Sequence, residues 1–170
     1  MNEEELKKKM QLYLERYFYV EREVTSKDGT SRIDMILVHK SSNKYSFGIE
    51  VKLDSKKKGR DLGIWLKQAE RYTIKEFGKY GKVIVCTYPQ ITTKFISEGE
   101  EMSKHDVYGH SFTACQNNIN TFLGQFKIGE LQRYRDRNNI ERLRIVYNSK
   151  CLWNEYKNDL RLGTIEKTWL

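Results

Sequence analysis

Residues 83–87, Val-Ile-Val-Cys-Thr, form a short and almost unbroken apolar run, with Gly78 and Gly81 just before it and the chain's single proline, Pro89, just after. A run of this length, rich in β-branched residues, reads as a strand buried on both faces. Such a strand needs a helical layer on each side, and the neighbouring segments supply them. Across residues 3–17, Leu6, Met10, Tyr13, Leu14 and Tyr17 fall on one helical stripe. Residues 62–77 read as a second helix, with Asp61 as its cap and the two glycines as its stop. Between the helices, Phe18–Val24, Ile33–Val38 and Tyr45–Leu53 read as strands. The turns Lys27-Asp28-Gly29 and Ser41-Ser42-Asn43 join them into an antiparallel meander.

Helix, three strands, helix, strand is the order of an α/β core with a mixed central sheet flanked by helices. Past residue 91 the pattern loosens. Helical and irregular material fills about 91–135, and Leu143–Tyr147 with Cys151–Glu155 suggest a late hairpin. The expectation is a single domain over residues 1–170, with a core at about 3–90 and a C-terminal extension at about 91–170.

The charge balance points to a class of partner. Lys and Arg number 31 against 23 Asp and Glu, a net charge of +8. Such a surplus favours a polyanion, because binding releases the counterions condensed on phosphates. No run is apolar enough to span a membrane, and the charged start, Met1 to Lys9, does not resemble a signal peptide. Cys86, Cys115 and Cys151 are odd in number and widely spaced. They indicate neither a zinc site nor a disulfide framework, and they suit free thiols in a reducing cytoplasm. Nothing in the spacing pairs Cys115 with His105 or His110 as a thiol nucleophile. No glycine-rich loop of the nucleotide-hydrolase kind is present.

The chemistry-bearing residues lie on the meander. On a strand, residues two apart share a face, so Glu50 and Lys52 project together while Ile49, Val51 and Leu53 point into core. Asp34 lies on the adjoining strand and is expected to come level with Glu50. Two carboxylates and a lysine on one patch of sheet suit phosphodiester hydrolysis. A magnesium ion needs only a few carboxylate oxygens and keeps most of its waters. A nearby ammonium orients the attacking water or stabilises charge on phosphorus. The plainer reading is a salt bridge on a solvated sheet face.

Ile33-Asp34 followed by Ile49-Glu50-Val51-Lys52 resembles the PD-(D/E)XK nuclease superfamily, in particular members similar to Holliday-junction resolvases and RecB-type nucleases. Ile33 stands where that family usually has proline. The resemblance covers about residues 3–88. Gln68-Ala69-Glu70-Arg71-Tyr72 is similar to the Gln-x-x-x-Tyr motif of RecB-like members. Four apart on a helix, Gln68 and Tyr72 stack on one face, at the edge of the stripe formed by Leu62, Leu66, Ala69 and Thr73.

The resemblance implies a restriction-endonuclease-like core and a Mg2+- or Mn2+-dependent deoxyribonuclease that leaves a 5′-phosphate on branched, viral or other DNA. Asp34, Glu50 and the backbone carbonyl of Val51 would hold the ion, Lys52 would assist the water, and Gln68 and Tyr72 would support the site or the phosphate. An acid on the first helix is a further ligand in that family. Glu3, three residues before Leu6, is the candidate here and Glu23 its rival. The three cysteines fall short of the four that iron–sulfur members need. Resolvase-like relatives also imply a homodimer. The competing class is a catalytically inactive nucleic-acid-binding or assembly protein that retains the fold.

The basic residues of Lys56-Lys57-Lys58-Gly59-Arg60, with Lys75 further on, would grip phosphates beside the scissile bond. Lys67 and Arg71 would extend that path. Arg133, Arg135, Arg137, Arg142 and Arg144 are interspersed with tyrosines, a mixture that suits single strands or unstacked bases. Each of these groups suits an ordinary solvated basic surface as well.

Overall fold

A computed structural model describes residues 1–53, 60–90 and 109–169, with the backbone alone for 60–62 and 109–116. The chain is a mixed α/β protein: one eight-stranded mixed sheet flanked by helices. The first helix, α1 (Glu3–Leu14), starts at Asn2, whose side chain accepts from the Glu5 amide while Glu5 reaches back to the Asn2 amide. This reciprocal cap satisfies two amides that the helix leaves open. Glu3, Glu4 and Glu5 fill the first turn, where the helix dipole favours negative charge.

Strands β1 (Phe18–Thr25), β2 (Arg32–His39) and β3 (Ser46–Val51) form the expected antiparallel meander. Helix α2 (Arg60–Thr73) then carries the chain to β4 (Ile84–Tyr88), which pairs parallel to β3. Two boundaries differ from expectation. Helix α2 already includes Asp61, so that residue lies in its first turn and is not its cap. The helix also stops at Thr73 rather than 77. The chain then turns so that Phe77 enters the core, with its amide bonded to the Gly81 carbonyl.

Beyond β4 the order is α3 (Gly109–Gln125), β5 (Ile128–Arg135), β6 (Glu141–Tyr147), β7 (Lys150–Asn154), β8 (Asp159–Leu160) and α4 (Leu162–Trp169). The late hairpin is present as β6 and β7. Residues 128–135, read from the sequence as irregular, are instead a strand parallel to β4, and this strand joins the late hairpin to the sheet.

Two hydrophobic layers form on the sheet. One combines Met35, Phe47, Ile49 and Cys86 with Leu131, Ile145 and Trp153, under α1 and α4. Residues after 109 thus contribute to the same core as the first strands. The sheet curls toward this layer until Phe18 of β1 meets Trp153 of β7, ring centroids 4.8 Å apart. The other layer holds Ile33, Ile36, Val83 and Val85 under Trp65, Ala69 and Tyr72 of α2 and Leu123 of α3. Burial raises the pKa of the Cys86 thiol well above its usual range, so it stays a protonated core residue. Cys151 is half-buried, and neither forms a disulfide.

Gly48 is a tight point in the second layer. A Cβ there would lie 2.4 Å from Ile33 Cδ1 and 2.9 Å from Val83 Cγ2. The missing side chain lets Ile33, the residue before Asp34, lie across β3. Ile33 is fully buried and has little room to yield. Gly48→Ala is therefore expected to cost about 1–3 kcal/mol by overpacking. Urea titration should show a lower midpoint with an unchanged slope.

Candidate active site

The site forms where β2 and β3 part. Their ladder ends at Met35 opposite Ile49. Regular alternation also breaks there: Ile33 and Ile36 pack in the α2 layer, whereas Met35 and Leu37 pack in the α1 layer. On β1, Glu23, which would face Asp34 in this register, has a left-handed backbone with φ 55°. Past the end of the ladder, Asp34 Oδ2 takes the place of a backbone carbonyl and accepts from the Val51 amide at 2.8 Å. The next amide along, that of Lys52, donates to the Tyr88 carbonyl on β4 at 2.8 Å. An extended residue points its carbonyl and amide to the same side, so the Val51 carbonyl faces the fork that holds Asp34.

Glu50 is 1% exposed and Asp34 7%. Lys52 Nζ lies 2.8 Å from Glu50 Oε1. The other oxygen, Oε2, is buried and has no hydrogen-bond partner among the described residues. Burial, and then the negative charge of Asp34, raise the Glu50 pKa to about 7 against the opposing pull of Lys52. The charge of Asp34 thus reaches Glu50. Burial disfavours the Lys52 charge, but Glu50 outweighs it and raises the ammonium's pKa above its ordinary value. Lys52 is therefore cationic at neutral pH.

Lys7 was not foreseen. Its ammonium lies 2.6 Å from Asp34 Oδ1 and 3.2 Å from Glu3 Oε1. Burial opposes its charge, but Asp34 and then Glu3 outweigh burial and raise its pKa to about 12. Glu3 touches the site through this lysine, and its charge also reaches Lys52. The sequence signal was available: Lys7 follows Glu3 by four and so shares its face. Glu23, the rival acid, instead pairs with Arg32 at 2.8 Å.

Gln68 and Tyr72 support the strand rather than the carboxylates. Gln68 Nε2 donates to Tyr72 Oη at 2.7 Å, and that hydroxyl donates to the Arg32 carbonyl at 2.8 Å. Tyr72 is 2% exposed. Burial first, then the charges of Glu50 and Asp34, raise its pKa. The pair fixes the backbone two residues before Asp34.

Of the expected phosphate-gripping residues, Lys56, Lys57 and Lys58 lie outside the described residues, as does the side chain of Arg60. Lys75 is paired with Asp28 in the β1–β2 turn. No group of three or more His, Cys, Asp or Glu side chains among the described residues is gathered to hold a metal ion. No described helix is long and apolar enough to cross a membrane.

No protein-family model matches the chain, and no curated protein or solved structure matches it either.

Two substitutions test the arrangement. Lys7→Met leaves Asp34 without its cation. Breaking a fully buried pair costs about 3–5 kcal/mol, and partial exposure of both side chains reduces the expectation to about 2–3 kcal/mol. Lys8→Met, at an exposed neighbouring position, is expected to change stability by less than about 0.5 kcal/mol. Tyr72→Phe removes the donor to the Arg32 carbonyl and the acceptor for Gln68, an expected loss of about 1–2 kcal/mol. Denaturant unfolding measures all three.

Proposed function

We propose that this chain is a divalent-cation-dependent deoxyribonuclease with a restriction-endonuclease-like core of the PD-(D/E)XK type. The observation that carries the reading is the Glu50 carboxylate: almost fully buried, with one oxygen lacking a partner, beside a second carboxylate. A buried carboxylate oxygen in that state is unfavourable unless a donor or a cation completes it.

The donor set fits Mg2+ or Mn2+. Asp34, Glu50 and the Val51 carbonyl are hard oxygen ligands, and a magnesium site with two carboxylates fills its remaining positions with water. When bound, such an ion polarises a phosphoryl oxygen and makes hydroxide available at neutral pH. The side chains do the rest. The Val51 amide fixes the rotamer of Asp34. Lys52, held charged by Glu50, acts as a donor: it orients the attacking water and offsets negative charge growing on phosphorus. Its raised pKa makes it unsuited to act as a base. Tyr72 and Gln68 hold β2 on the course that delivers Asp34. Glu3 acts on the site through Lys7.

One observation favours the alternative, a nucleic-acid-binding or assembly protein without chemistry. Both acids are already neutralised within the chain, Asp34 by Lys7 and Glu50 by Lys52. An ion must compete with Lys7 for Asp34, and a chain that had given up metal would keep these same pairs.

Incubating supercoiled plasmid and branched DNA with Mg2+, Mn2+ or chelator separates the two readings. Cleavage is expected only with the metals. Lys52→Ala should lower it at least about 100-fold while gel-shift binding persists. Metal binding has its own readout: Mg2+ or Mn2+ should raise the melting temperature, and Glu50→Gln should abolish that rise. A melting temperature unmoved by either metal, together with intact plasmid, would establish the non-catalytic alternative. RNA in the same assay tests the choice of nucleic acid, and sedimentation tests the homodimer implied by the resolvase-like resemblance.

A further inference from the structure

A cleft of about 650 Å³ opens at the ends of β3 and β4, lined by Leu6, Lys52, Tyr88, Pro89, Tyr134 and Arg135 among others. A smaller pocket of about 280 Å³ continues from it between α1 and β5–β6 and adds Lys9 and Arg142. The two share Leu6, Tyr88, Arg133 and Glu141. They therefore form one groove, running from Lys52 along the side of α1.

The lining chemistry is one-sided. Five cations line the groove; its single acid, Glu141, is paired with Arg133 at 3.2 Å, while Lys52 is paired with Glu50 and Arg142 with Asp136. Lys9 and Arg135 have no carboxylate partner among the described residues; the Arg135 guanidinium donates only to the carbonyls of Asn139. Leu6, Tyr88 and Tyr134 add apolar and aromatic surface to the lining, and one face of the Tyr134 ring already carries Arg144. One wall of the groove is braced: the Gln90 side chain accepts from the Arg133 amide at 2.6 Å and donates to the Arg133 carbonyl at 3.3 Å, bridging the end of β4 to β5.

We propose that this groove binds a single-stranded nucleic-acid segment, the unpaired tail of the substrate strand that passes the Asp34–Glu50–Lys52 site. Cations along a track with aromatic faces between them are what single strands use, with phosphates on the charges and bases on the rings. A cleft of this volume takes a ligand of small-molecule size, the scale of a few unpaired nucleotides. The link to substrate rests on the nuclease reading, but the binding itself does not.

The test uses a fluorescently labelled twelve-residue oligothymidylate, measured by anisotropy in chelator, where no cleavage occurs. The Lys9→Ala/Arg135→Ala double variant is expected to bind about tenfold or more weakly. Its salt dependence should flatten by about 1.4, near 0.7 for each lost phosphate contact to a single strand. Tyr134→Leu should weaken binding about fivefold or more through lost stacking, with its melting temperature checked because Tyr134 also bonds Asn154.

Lys82→Ala/Lys150→Ala removes the same charge just before β4 and at the start of β7, where neither residue lines the groove, and should bind like the parent. Equal losses in the two double variants, or no loss in the first, overturn the proposal. So does a blunt hairpin duplex that competes as well as the single strand. Because the assay needs no chemistry, loss of plasmid cleavage would leave it unaffected, and its failure would leave the cleavage test intact.

Discussion

The site depends on one hydrogen bond, from the Val51 amide to Asp34 Oδ2. At this point two antiparallel strands separate while the same β3 continues to pair with β4 on its other side. An amide left open at such a fork is costly, and a carboxylate is the strongest acceptor that can fill the gap. The fork thus selects an acid at position 34 for structural reasons and orients it for chemical ones. With Asp34 held there, Glu50 lies on the next strand within its electrostatic reach, and the local negative charge needs cations nearby. Lys7 and Lys52 supply them.

A buried carboxylate is a poor way to stabilise a sheet. Glu50 occupies a position that Val or Ile would fill with a gain in apolar burial. Lys52 satisfies only one of its oxygens, and the paired charges largely offset their desolvation rather than adding net stability. Sequence and structure usually disagree in this manner where a site is maintained against the local optimum for folding. Thr87, next to Glu50 across the β3–β4 pair, is also fully buried, and its hydroxyl has no hydrogen-bond partner among the described residues.

Period and punctuation were enough to read α1 and β1–β4. Met10 and Leu14 of the α1 stripe are buried as expected and Leu6 is partly buried beside them, and Ile49 and Val51 enter the core. Strand β5 was hidden because its sequence, Ile-Gly-Glu-Leu-Gln-Arg-Tyr-Arg, carries polar groups where a buried strand should be apolar. Glu130 is satisfied by Asn120 of α3, and Gln132 by Arg144 of β6. Those partners are 10 and 12 residues away, beyond the reach of a local pattern. Lys7 was missed for a related reason. A lysine on a charged helix looks solvated until the acid it meets, 27 positions later, is brought under it by the fold. The fork itself leaves no trace in strand periodicity, so the sequence reading set Asp34 level with Glu50, whereas its carboxylate turns sideways to Val51.

Helix α1 joins the two halves of the molecule and both candidate surfaces. Lys7 reaches Asp34, while Leu6, Lys9 and Met10 form a wall of the groove. The helix is anchored beside the α1 end of the groove, at the buried Glu155. That carboxylate accepts from the hydroxyls of Tyr13 and Tyr17 and from the Leu143 amide, and it lies 3.7 Å from Arg142. Glu155 follows β7, so the C-terminal strands determine where the N-terminal lysine sits. A shift of α1 along the sheet would move Lys7 relative to Asp34 and reshape the groove in the same motion. A strand lying in the groove and an ion competing for Asp34 would therefore act on one rigid element. Coupling between them requires no more than that their preferred positions of α1 differ.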